Sequence, residues 1–136
     1  MTKDKVIHLF KNHKIGTLAT IKDNKPYSRF MLFFAKELTL YSATNKQTHK
    51  VDTIEENPSV HILLGLENGG YNGAYCEVEA NVEIDEAPEN KEAFWSDQLS
   101  NWLTGPNDPN YVLLKFTPHK IRYFADVGAE AEEISL

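Results

Sequence analysis

The sequence predicts a mainly β fold: a small antiparallel barrel with a few covering helices. Three observations lead there. Apolar residues fall in short runs of period two or in aromatic blocks, these runs outnumber helical patterns about two to one, and many are joined by turns rather than by a βαβ rhythm. The 136 residues, 41% hydrophobic and 25% charged, suit one soluble globular unit, so residues 1–136 are expected to form a single domain.

The elements follow in order. "KDKVIHLFKNH" places Val6, Ile7, Leu9 and Phe10 on one helical side, with Thr2 as N-cap. "KIGTLATIKDNKPYSRFMLFFA" reads as a hairpin turning at "KDNKP", and "KE" allows a tight turn into "LTLYSA", giving three strands by residue 45. A helix beginning near Thr48 carries Val51 and Ile54 and stops at "ENP". "SVHILLGL" reads as a strand buried on both faces, and "ENGGYNG" as a turn. "AYCEVEANVEIDE" alternates, with Cys76, Val78, Ala80, Val82 and Ile84 on one face and Tyr75, Glu77, Glu79, Asn81 and Glu83 on the other. "APENKEAFWSDQLSNWL" reads as one helix, "YVLLKFTPHKIRYFA" as one or two strands, and "EAEEISL" as a fraying tail.

Charge and cysteine usage narrow the function. No apolar run reaches the roughly 20 residues of a membrane span, and the charged N-terminal stretch reads as neither signal nor anchor, so a cytoplasmic location is expected. Cys76 is alone, which excludes an internal disulfide and a CxxC site and requires any redox chemistry to reside in a bound group. Residues 1–50 carry ten Lys or Arg against three acids, while residues 51–136 carry four against seventeen. A net charge of −6 disfavours nucleic acid and leaves a small anion as the better match for the basic half.

The anion has a candidate seat. "YSATNKQTHK", residues 41–50, joins a strand end to a helix start, where free N–H groups, hydroxyls, His49 and Lys50 suit a phosphate. Arg29, one of two arginines, lies mid-strand among aromatics and adds a planar fork. The same residues also suit a capped helix with ordinary surface lysines. No metal site is expected from His8, His13, His61 and His119, no Gly-x-Ser-x-Gly elbow is present, and the glutamates of "EVEANVE" read as a solvated strand face rather than an acid/base pair.

Taken together, "IGTLATIKDNKPYSRFM", "LTLYSATNKQTHKVDTIEENPSVHILL" and "GPNDPNYVLLKFTP" resemble the flavin-binding split barrels related to pyridoxamine phosphate oxidase, in particular their general-stress-protein branch. The resemblance implies a six-stranded split barrel that pairs as a homodimer with FMN at each interface site. It assigns Arg29, Phe30 and Met31 to the strand that contacts the flavin, Ala43 and Thr44 to the next strand's end, and His49 with Lys50 to the FMN phosphate. It nominates no catalytic residue. The chain departs from the oxidase at Phe34, where that enzyme has a substrate-binding lysine, at Tyr75 in place of a glutamine, at His49 in place of arginine, and after Arg122, where its last substrate-binding segment is missing; the aromatic near the C-terminus is Tyr123 or Phe124. The implied function is an FMN-dependent oxidoreductase or flavin reductase exchanging electrons with small molecules. The alternatives are a non-catalytic binder of FMN, another phosphorylated ligand or a tetrapyrrole, and then pyridoxamine phosphate oxidation itself.

Overall fold

A computed structural model describes residues 1–47, 51–66 and 73–136 of the chain. Helix α1 (Thr2–Asn12) leads into strands β1 (Ile15–Lys22), β2 (Lys25–Leu32), β3 (Phe34–Lys36) and β4 (Thr39–Asn45). Helix α2 (Asp52–Glu56) precedes β5 (Ser59–Gly65) and β6 (Tyr75–Asp85). Helix α3 (Pro88–Ala93), a 3-10 turn (Asp97–Asn101), β7 (Tyr111–Phe124) and β8 (Glu132–Ser135) complete the order.

All eight strands of the described residues join one antiparallel sheet, ordered β2-β1-β5-β6-β7-β4-β3, with β8 added to β7. The expected count of six is therefore too low. Phe33 separates β2 from β3 by turning into the core, where its ring meets Phe116 edge-on at 5.7 Å, so one anticipated strand becomes two. The tail supplies β8 instead of fraying. Ile134 packs on the core, Glu132 accepts from Lys5 Nζ at 3.1 Å and from Thr2 Oγ1 at 3.0 Å, and Glu133 pairs with Lys120 at 3.6 Å. Thr2 is thus spent on the C-terminal strand, and Met1 holds the N-cap position of α1.

The β1–β2 connection follows from its residues. Asp23 and Asn24 adopt φ of 53° and 62°, the left-handed pair that a two-residue hairpin turn requires. Leu18, Ile62, Cys76, Val78, Phe116 and Ile121 are essentially inaccessible and form the curled sheet's interior, with Val6, Leu9 and Phe10 of α1 packed onto it. β5 differs from expectation: Val60, Ile62 and Leu64 point inward while Leu63 is 40% exposed, so it is buried on one face only. β6 alternates as its sequence predicts. The single predicted helix over residues 87–103 breaks in two, because the Ser96 hydroxyl accepts from the Gln98 N–H and starts a new turn. The predicted helix start at Thr48 and most of the "ENGGYNG" turn lie outside the described residues.

Two consequences are measurable. Gly16 lies where β1 crosses closest to β5: a Cβ there would stand 2.6 Å from the Leu63 carbonyl oxygen and 2.8 Å from Leu64 Cδ1. Gly16→Ala is expected to destabilise the protein by about 1–3 kcal/mol, the scale of core overpacking, as a lower denaturation midpoint. The hydrogen bonds from Lys5 and then Thr2 hold the Glu132 carboxyl below its ordinary pKa of 4.5. A depressed carboxylate stabilises the fold above that pH and loses the contribution as pH falls below it. Wild type and Glu132→Gln should therefore differ in thermal midpoint at pH 7 and converge below about pH 4.5.

Candidate functional site

The site lies where the sheet fails to close. Curling brings β2, the first strand in the order, toward β4, the sixth, yet no ladder joins them among the described residues. The fully buried Ser42 hydroxyl spans the gap instead and donates to the Leu32 carbonyl at 2.8 Å. A cleft of about 290 Å³ opens beside this seam. Phe30, Met31 and Leu32 come from β2, Ala43, Thr44 and Asn45 from β4, and Leu99, Trp102 and Leu103 from the 3-10 turn and the residues after it.

Strand alternation sorts the predicted residues. Arg29 and Met31 face inward opposite Leu18 and Gly16, whereas Phe30 faces out and is 79% exposed. On β4, Thr44 is buried and Ala43 half-buried. The structure therefore brings Phe30, Met31, Ala43 and Thr44 to one cleft. Arg29 joins Met31 and Thr44 around an adjoining cavity of about 20 Å³, closed by Val51 and Ile54 from the α2 side. His49 and Lys50 lie outside the described residues.

Two polar side chains bordering this region keep bonding capacity unspent among the described residues. The Thr44 hydroxyl is inaccessible and has no partner among the described residues. A buried hydroxyl in that state costs about 1–3 kcal/mol. Half-buried Arg29 makes one long hydrogen bond among the described residues, Nη2 to Thr20 Oγ1 at 3.3 Å, leaving most of its donor fork available. An apolar slot with a hydroxyl in its wall and a guanidinium around the adjoining cavity can hold a flat ring with an anionic tail.

The outer wall was not anticipated from the sequence. Leu99, Trp102 and Leu103 read as the inner stripe of one long helix; instead Leu99 and Leu103 pack with Tyr41, Tyr111 and Leu113 in a second core, and Trp102 is 57% exposed. The Ser96-Asp97 pair, an N-cap signature, is the signal that would have placed the break. α3 is fixed by the Tyr111 hydroxyl donating to the Lys91 carbonyl at 2.7 Å, and burial pushes that phenol up to about 12. Asp108 accepts from the N–H groups of Thr104 and Asn110, which hold its carboxyl below the usual range and fix the loop into β7.

The remaining predicted positions do other work. Phe34 packs against Phe94, with Lys14 Nζ 5.8 Å from its ring centre. Tyr75 stacks on Phe124 at 4.7 Å and is not among the cleft's lining residues. Cys76 is buried, and desolvation pushes its thiol up to about 12, so it is inert. Among the described residues no three His, Cys, Asp or Glu are grouped to hold a metal.

An open, curled antiparallel half-barrel with an apolar cleft at its seam is consistent with the split-barrel class of ligand-binding proteins. Residues 2–125 match the family model described as pyridoxamine 5'-phosphate oxidase, and the chain belongs to that family. It is 46% identical over 120 residues to General stress protein 26 of Bacillus subtilis (strain 168), covering 88% of this chain and 86% of that protein. The crystal structure of General Stress Protein 26 from Bacillus anthracis str. Sterne superposes with a TM-score of 0.88 at 38% identity, over 99% of this chain and 98% of that one. A FAD-binding protein from Mesorhizobium loti shares the fold at 17% identity and a TM-score of 0.69, over 84% and 87% of the two chains.

The orphaned hydroxyl gives a direct test. In ligand-free protein, Thr44→Val keeps the side chain's shape and removes the unpaired group, so stability should stay level or rise by about 1 kcal/mol in denaturant unfolding. A clear loss would mean that the hydroxyl is paired.

Proposed function

We propose that the protein binds FMN in this cleft as a homodimer in the cytoplasm and serves as a flavin-dependent oxidoreductase for small-molecule electron donors and acceptors. The observation that carries the reading is the buried Thr44 hydroxyl, unpartnered among the described residues, which lines both the apolar cleft and the adjoining cavity that Arg29 also lines. The residues fit the group. Phe30, Met31 and Ala43 would flank the ring, Thr44 and Arg29 would meet polar atoms, and His49 with Lys50, next in the chain, would hold the phosphate. When bound, the isoalloxazine supplies the redox chemistry, while the chain orients it and excludes water from one face.

A second copy would dock on the sheet's outer surface. Phe30, Thr17 and Leu63 sit side by side across β2, β1 and β5, and Ile15 on the same face is 56% exposed. An apolar row of this kind, continuous with the cleft through Phe30, suits burial against a partner. That burial would also cover an otherwise half-open ring.

Phe34 bears on the substrate. An aromatic side chain packed on Phe94 offers nothing to a second phosphate, which supports a reaction other than oxidation of pyridoxamine phosphate. The described cleft lining contributes no acid or base, so a non-catalytic FMN carrier is the second reading. Rapid reduction of the bound flavin by NADH or NADPH with transfer to an added acceptor would separate the enzyme from the carrier.

Purified protein mixed with excess FMN and desalted should keep a visible flavin band at about one per protomer; a colourless product would overturn the assignment. Lys50→Ala should weaken FMN binding by about 1–3 kcal/mol, the scale of a lost charged hydrogen bond, with unfolding unchanged. An unaltered dissociation constant would remove Lys50 from the phosphate site.

A further inference from the structure

Trp102 presents its indole to solvent at the rim of the cleft, 57% exposed, while Leu99 and Leu103 on either side of it in sequence are buried. Its backbone is fixed at both ends. The Trp102 N–H donates to the Leu99 carbonyl at 2.9 Å, and the Trp102 carbonyl accepts from Asn45 Nδ2 at 2.9 Å. Asn45 follows Thr44 on β4, so one side-chain hydrogen bond ties the loop bearing Trp102 to the strand bearing the orphaned hydroxyl. A large apolar side chain held in place yet left wet is a surface awaiting a partner.

Phe30 is in the same condition on the β2 side, 79% exposed and lining the same cleft. Neither ring stacks on another aromatic among the described residues, in contrast to Trp95, whose ring lies 5.9 Å from Tyr111. Two unpaired aromatic rings, carried by different elements onto one apolar slot, match the two faces of a flat ring system.

We infer that Trp102 is a specificity-determining wall of the site: with Phe30 it clamps a planar heteroaromatic ring, and Asn45 positions it through the Trp102 carbonyl. This rests on the FMN reading and deepens it. The resemblance assigns the ring to β2 and β4, whereas the clamp adds the segment after the 3-10 turn. It selects ligands by the flatness and breadth of their ring system rather than by their phosphate.

The test uses the emission of the flavin itself, which contact with an indole quenches by short-range electron donation and contact with phenylalanine does not. FMN is titrated into wild type, Trp102→Phe and Trp102→Ala, with affinity read from flavin anisotropy and with bound-state emission read separately. Wild type should bind FMN with strongly quenched emission. Trp102→Phe should keep the affinity within about threefold and regain emission, and Trp102→Ala should lose about tenfold in affinity, the scale of one lost aromatic stack. Asn45→Ala, which keeps the indole and frees its loop, should bind more weakly and quench less.

Three results would overturn the clamp. If all variants bind FMN equally with the same emission, Trp102 does not touch the ring and the FMN reading stands without it. If the emission of Trp102, isolated in a Trp95→Phe background, follows protein concentration in the absence of flavin, the indole is covered by a second copy. If wild type binds no FMN, the FMN reading falls and the clamp with it.

Discussion

Ser42 and Leu32 hold the seam on which the site depends. A ladder between β2 and β4 would satisfy both edges and close the barrel. One hydrogen bond from a fully buried hydroxyl does so at a single point, and beyond it the walls part to give the cleft. Phe33 enforces the opening from the other side: by entering the core against Phe116 it ends β2, and β3 resumes on a different course against β4. The cavity is the space left by strands that cannot pair. Its lining is therefore apolar by default, and each polar group that faces it is informative.

Much of this was legible in the residues. Period-two alternation placed β6 and its inward face, "KDNKP" placed the hairpin, and the resemblance placed Phe30, Met31, Ala43 and Thr44 on what became one cleft. Other features were not, for physical reasons. The break at residues 94–96 hides inside a pattern that still satisfies helical spacing, because Leu99 and Leu103 are buried in either arrangement. The β8 strand reads as a polar tail, since its contacts with Lys5, Thr2 and Lys120 come from distant parts of the chain. Leu63 reads as core because local pattern does not say which face of β5 will be covered.

The division of charge acquires a structural meaning. The acids of β6 face outward and meet cations across strands, Glu79 with Arg122 at 2.9 Å and Glu83 with Lys115 at 4.0 Å. Partly exposed pairs of this kind contribute little stability, about 0–1 kcal/mol each. They leave the carboxylates partly solvated and outside the lining of the cleft. Arg29, by contrast, has no acid against it among the described residues and spends one long hydrogen bond on Thr20.

β7 has an implication for how the molecule is made. Its fourteen residues pair with β6 along one edge and with β4 and then β8 along the other, so the strand carrying Thr44 stays unsupported on one side until residues 111–116 arrive. Pairing across some seventy residues of sequence is slow compared with local hairpin closure. The N-terminal hairpin can close early, whereas β4 gains its ladder with β7 only once residues 111–116 are in place. The wall of the cleft that carries Thr44 is thus among the last parts of the sheet to be fixed in place.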